Sequence, residues 1–101
     1  MGCEVRYTPT ATAELAELLD YIAQHSPPGA RKVQARIKTI ITLLSQHPYA
    51  GPLTEDPGLR YIVTTPYPYL IFYEVAEDEG EIVIIALRHS ARDPSSKPGN
   101  K

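Results

Sequence analysis

The residues best suited to chemistry cluster near the C-terminus, where Arg88, His89 and Arg92 fall within five positions. An imidazole can give or take a proton near neutral pH, and a guanidinium beside it can hold an anion. Ser90 and Asp93 stand close by in sequence, but they do not make a hydrolase triad with His89. Triad members are placed by the fold, and nothing in this stretch orders the serine. His25 and His47 stand at the ends of expected helices, where a cation is favoured, and they read as structural. The three histidines are far apart and the lone cysteine, Cys3, is N-terminal, so no metal-ligand spacing arises. No glycine-rich phosphate loop occurs either. Neither metal nor cofactor is expected.

The elements that must position these residues are readable from periodicity. Residues 3–8 alternate in polarity and read as a short strand. Thr8-Pro9 is a helix start: the hydroxyl can cap, and proline suits the first helical position. Ala11, Leu15, Leu18, Leu19 and Ile22 then keep helical spacing, with Glu14, Glu17 and Asp20 on other faces. Ser26-Pro27-Pro28-Gly29 breaks the pattern and opens a second helix with the stripe Val33, Ile37, Ile40, Ile41 and Leu44. The two form an antiparallel hairpin. His47-Pro48 ends the second helix. Residues 48–58 read as a loop, and strands are expected over 59–65, 68–76 and 81–89, the last two joined by a turn at 77–80 with Gly80 available for positive φ. The tail from Ser90 is polar and expected to fray. The order β-α-α-β-β-β predicts an α+β domain over residues 1–101, a helical hairpin on one face of a mainly antiparallel sheet.

Length and composition agree with one small soluble domain: 101 residues, 43% hydrophobic and 22% charged. A single cysteine excludes an internal disulfide and fits a reducing, cytoplasmic compartment. The longest aliphatic run, Ile82–Leu87, is far below the roughly 20 residues that span a bilayer, so no membrane association is expected. The net charge of −2 argues against a general polyanion binder, and no direct DNA binding by the chain alone is expected. Yet the charge is sorted into blocks of −3, +4, −6 and +3 over residues 1–26, 27–54, 55–81 and 82–101. The first two blocks are expected to neutralise each other across the helical hairpin.

The last two strands are apolar on both faces. In 69–75, Tyr69, Ile71, Tyr73 and Val75 share one face, and Leu70 and Phe72 the other. In 82–89, strict alternation groups Ile82, Ile84, Ala86 and Arg88 against Val83, Ile85, Leu87 and His89. Two helices cover one face only, so the second must be covered by the 48–58 loop or the C-terminal tail, or else receive a partner polypeptide, and a partner is the favoured expectation.

Leu59-Arg60-Tyr61-Ile62-Val63, Pro68–Val75 and Ile84–Pro94 resemble the core strands and closing segment of the ParE/RelE superfamily of bacterial toxins. The opening Tyr7-Thr8-Pro9 with Ala13-Glu14-Leu15, and Pro48-Tyr49-Ala50-Gly51, are similar too. The resemblance covers about residues 4–94 and implies the toxin of a type II toxin–antitoxin module, of the plasmid-stabilisation kind. It implies a small ParD-like antitoxin as partner, forming a hetero-oligomer and docking as a helix or added strand. Arg60, Leu70, Phe72, Tyr73 and Leu87 are the expected antitoxin contacts, with Tyr69 beside them; otherwise the apolar and aromatic ones are core, and Arg60 pairs with the acidic hairpin.

The superfamily implies two activities. RelE-like members cleave messenger RNA in the ribosome; ParE-like members inhibit DNA gyrase. Metal-free RNA cleavage needs a base, an acid and cations for the phosphate. In RelE-like toxins an arginine sits inside the strand matching Tyr69–Tyr73, and a tyrosine or histidine follows near the C-terminus. Here Leu70 occupies the arginine's place, and Asp93-Pro94 follows Arg92. His89 is the one residue that restores an acid–base group. The expectation is therefore a ParE-like toxin that binds gyrase through Arg88, His89 and Arg92 without being an enzyme. The alternatives are a RelE-like ribosome-dependent endoribonuclease and a binding module that has lost toxicity.

Overall fold

The computed structural model describes residues 2–90. Thr8 turns the chain from strand β1 (Glu4–Tyr7) into helix α1 (Pro9–His25). Its backbone is extended and its hydroxyl accepts the Ala11 N–H at 3.0 Å, with proline in the first turn. Ser26 then does two tasks at once. Its N–H donates to the Ile22 carbonyl and closes α1, while its side-chain oxygen accepts the Gly29 N–H and opens α2 (Pro27–Gln46). The hairpin connection is thus a single residue. His47 caps the end of α2, donating its N–H to the Leu43 carbonyl ahead of Pro48. All five residues of the expected α2 stripe are buried.

The apolar stripes meet, so the charged positions stay outside. Glu17, Asp20, Arg31, Lys32 and Lys38 are all exposed, and among the described residues no ion pair joins the two helices. The expected neutralisation across the hairpin does not occur by contact. Glu14 turns to the sheet instead.

The sheet has the order β1-β4-β3-β2, where β2 is Leu59–Val63, β3 Tyr69–Ala76 and β4 Glu81–His89. β2, β3 and β4 pair antiparallel; β1 lies parallel to β4, with Tyr7 opposite Ile84. A short 3-10 turn at Glu77–Glu79 joins β3 to β4 and ends on Gly80 at φ +65°, as the sequence requires. The observed architecture is the expected β-α-α-β-β-β, a helical hairpin on one face of a mainly antiparallel sheet. Its main core joins Val33, Ile37, Ile40, Ile41 and Leu44 of α2 to Ile71, Tyr73, Ile82, Ile84 and Leu87.

One irregularity changes which way β4 faces. Phe72 pairs with Ala86, but Tyr73 pairs with Ile84, so Ile85 is an extra residue on β4. Such a bulge shifts the alternation by one. Beyond it, Leu87 joins the helix-facing core and Ala86 joins the opposite face with Leu59 and Phe72. The strict alternation expected through 82–89 is corrected accordingly. Arg88 falls opposite Leu70 on the second face, and His89 opposite Tyr69 on the helix side.

That second face is not an open groove at its centre. Phe72, Ala86 and Leu59 are 0%, 1% and 4% exposed, with Tyr61, Leu70 and Ile85 partly buried around them. Residues 52–54 run beside β2: Tyr61 donates its N–H to the Pro52 carbonyl, and Thr54 donates to that of Leu59. Gly51 precedes this segment in a site with no room. A Cβ there would stand 2.3 Å from the Tyr61 carbonyl oxygen and 2.8 Å from the Tyr73 hydroxyl. Gly51→Ala is therefore expected to lower stability by about 1–3 kcal/mol through overpacking. A urea denaturation midpoint equal to wild type would contradict this.

Candidate functional site

β4 outlasts its neighbour. β1 stops at Tyr7, opposite Ile84, while β4 continues to His89. Backbone polar groups on that edge need partners, and the start of α1 supplies them. Thr8 donates its N–H to the Ile84 carbonyl at 3.0 Å and its hydroxyl to the Ile85 carbonyl at 2.9 Å. The Leu87 N–H donates to Glu14 Oε1 at 2.8 Å, and the other Glu14 oxygen pairs with Arg88 Nη1. Both oxygens of one carboxylate are thus engaged with the end of β4.

His89 meets the Tyr69 ring edge-on, with centroids 5.4 Å apart. Ser90 ties the strand end to the β2–β3 connection through its N–H and hydroxyl, both donating to the Pro68 carbonyl. On the other side of that connection Arg36 of α2 donates Nε–H to the Thr65 carbonyl at 2.7 Å. The buried Thr64 hydroxyl lies 3.3 and 3.2 Å from the carbonyls of Tyr67 and Tyr69. One end of the sheet thus collects two arginines, a histidine and Tyr69. Arg88 and His89 reach it from opposite faces of β4; Arg92 lies outside the described residues. Neither Glu14 nor Arg36 stands out from sequence as a site residue, although Glu14 lies in the Ala13-Glu14-Leu15 stretch that resembles the family. The available signal for Glu14 was its place three residues after the buried Ala11, on the flank of the apolar stripe.

The five residues expected to meet an antitoxin separate into two sets. Phe72, Tyr73 and Leu87 are 0%, 0% and 5% exposed and present no surface as they stand. Leu70 is partly buried on the second face. Arg60 is partly exposed at the opposite end of the sheet. Its Nη1 donates to the Gly51 carbonyl at 2.7 Å, and its guanidinium lies 4.9 Å from the Tyr49 ring centroid. Tyr49 in turn gives its hydroxyl to the Glu77 carboxylate. Tyr73 completes this lattice, donating to the Pro48 carbonyl at 2.8 Å and accepting the Gly51 N–H at 2.9 Å. A cavity of about 500 Å³ lies here between Tyr49, Leu53, Arg60 and the acidic turn. A second, of about 350 Å³, lies between α2 and β1 against Val5, Tyr7, Ile37 and Lys38. Among the described residues no group of three or more His, Cys, Asp or Glu side chains is placed to hold a metal ion, and no helix is long and apolar enough to cross a membrane.

Residues 5–94 match the family model described as the ParE toxin of the type II toxin–antitoxin system parDE. The chain belongs to the ParE/RelE superfamily of type II toxins. It is 39% identical over 89 residues to Toxin RelE2 of Caulobacter vibrioides, covering 88% of this chain and 97% of that one. By shape it is similar to the chromosomal ParDE toxin–antitoxin system of P. aeruginosa, with a TM-score of 0.73, 26% identity, and coverage of 86% and 95%. It shares its fold with the toxin–antitoxin complex RelBE2 of Mycobacterium tuberculosis, at a TM-score of 0.64, 21% identity, and coverage of 88% and 99%. The expectation of a toxin that is not an enzyme is overturned by these relatives. The 39%-identical relative is a RelE toxin, and RNA cleavage is the activity that the family resemblance gives to RelE-like members. Arg88 stands opposite Leu70, the position where the resemblance asks for an arginine.

Burial raises the Tyr73 pKa above the ordinary tyrosine value, a shift opposed by the Gly51 N–H and by the nearby charge of Arg60. The sign of the stability effect follows. Favouring the neutral phenol stabilises the fold fully below the ordinary value of about 10, and that contribution is lost as pH rises through the raised folded value. Tyr73→Phe removes both hydrogen bonds of the hydroxyl and leaves the Gly51 N–H unpaired. It is expected to cost about 1–3 kcal/mol at neutral pH and to flatten the alkaline loss of stability. Thermal melts from pH 7 to 11 test both; an unchanged alkaline slope would remove Tyr73 as its source.

Proposed function

We propose that this toxin cleaves messenger RNA on the ribosome and is held inactive by a cognate antitoxin. The observation that carries the reading is the pairing of Arg88 with Leu70 across β3 and β4. The resemblance to RelE-like toxins asks for an arginine at position 70; the neighbouring strand pairs Arg88 with Leu70 in register, its guanidinium held against Glu14 at the free edge of β4. The 39% identity to Toxin RelE2 supports the same side of the superfamily.

The chemistry needs only groups at this end of the sheet. A base takes the proton of a ribose 2′-hydroxyl, whose oxygen attacks the adjacent phosphorus. The bond to the 5′-oxygen of the next nucleotide breaks, and an acid returns a proton to that oxygen. The products are a 2′,3′-cyclic phosphate and a 5′-hydroxyl end. Arg88 holds the phosphate and the negative charge that grows on it, with Arg36 as a second cation. His89 carries the proton transfer, its ring steadied by the edge of Tyr69. The antitoxin meets surface that includes Leu70 and Arg60, the expected contacts that are not fully buried. A ribosomal target also places the toxin in the cytoplasm.

Purified toxin is expected to cut message bound to ribosomes and to leave gyrase supercoiling intact. Arg88→Ala should lower the cleavage rate about 10²–10³-fold, the scale for losing a transition-state charge stabiliser. His89→Ala should lower it about 10²–10⁴-fold, the scale for losing an acid–base group. Inhibited supercoiling with uncut message would instead return the target to gyrase.

A further inference from the structure

We infer that Glu14 is a positioning residue for the Arg88 guanidinium, an inference that rests on the ribonuclease reading above. Arg88 is a long side chain on the last turn-free residues of a strand, past the point where β1 ends. A guanidinium stabilises a developing phosphate charge only if it is already in place when the charge appears. Glu14 has the means to hold it there. One carboxylate oxygen is fixed by the backbone N–H of Leu87 at 2.8 Å, and Leu87 is itself in the core at 5% exposure. The other oxygen pairs with Arg88 Nη1. The carboxylate is therefore anchored to the rigid part of β4, and through it the guanidinium is held to the sheet. The Arg6–Glu81 pair on β1 and β4 lacks this support: its atoms are 3.6 Å apart and the Arg6 side chain is 67% exposed. Pairs of that exposed kind fix little. A guanidinium presents several N–H donors in a fork, so pairing one nitrogen with Glu14 is compatible with reaching a phosphate.

Glu14→Gln separates the parts. The amide keeps the size and the oxygen that accepts the Leu87 N–H, but loses the charge that holds Arg88. Two measurements on the full chain test it. In kinetics on ribosome-bound message, kcat is expected to fall about 10²-fold, the scale of a 1 Å misplacement, while KM stays near wild type. In nitrogen-15 relaxation of the Arg88 side chain, the Nε–H vector is expected to be rigid in wild type and mobile in the variant, with the Leu87 amide still protected from exchange. Wild-type kcat in the variant, or an equally rigid Arg88, overturns the inference and leaves the ribonuclease reading standing. A wild-type toxin that cuts no ribosome-bound message overturns the reading itself and this inference with it.

Discussion

The structure turns on the free edge of β4. That strand runs five residues past its parallel partner β1, and its backbone cannot be left unpaired against the core. Strand addition would solve the problem, but the chain has already left the sheet for α1. The first two turns of the helix therefore do a strand's work with side chains. Thr8 serves twice, as helix cap and as donor to the Ile85 carbonyl, so the extra residue of the bulge has a partner. Glu14 takes the next inward N–H, that of Leu87. Because these contacts accept a bulge at Ile85, the phase of β4 changes there, and the facing of Leu87, Arg88 and His89 follows from it.

Most boundaries of the fold were legible because each has a local cause. Thr8-Pro9, Ser26-Pro27, His47-Pro48 and Gly80 act within a few residues of themselves, through caps, missing N–H groups and positive φ. The helix stripes were legible because polar residues interrupt them. The bulge was not, and the reason is the same in reverse. From Ile82 to Leu87 every residue is apolar, so no alternation exists to betray a change of phase. Both the regular and the bulged strand bury the same kinds of side chain. What decides between them is Thr8 and Glu14, more than 70 residues away in the sequence.

The candidate site was half legible for a related reason. Arg88 and His89 stand out as adjacent charged and titratable residues, but the chemistry of Arg88 depends on what lies opposite. Read strand by strand, Leu70 looks like the loss of a cation. Read across the sheet, an arginine, Arg88 of β4, stands opposite it. Pairing register is invisible when each strand is considered alone, so an arginine on the neighbouring strand goes uncounted.

The two ends of the sheet satisfy their polar groups in different ways, and the difference bears on function. At the Tyr73 end, hydroxyl, carbonyl and guanidinium close on one another: Tyr73 with Pro48 and Gly51, Arg60 with Gly51 and Tyr49, Tyr49 with Glu77. That end is a lock for the 48–51 segment. At the Arg88 end, Arg36 is held by a backbone carbonyl, which orients the side chain without cancelling its charge. Arg88 is held by a carboxylate, which orients it and offsets part of its charge. A site that needed only positive potential would gain by losing Glu14. A site that must place one guanidinium against a phosphate in the transition state gains by keeping it, since the energy returned by a preorganised donor depends on where it stands before the charge forms.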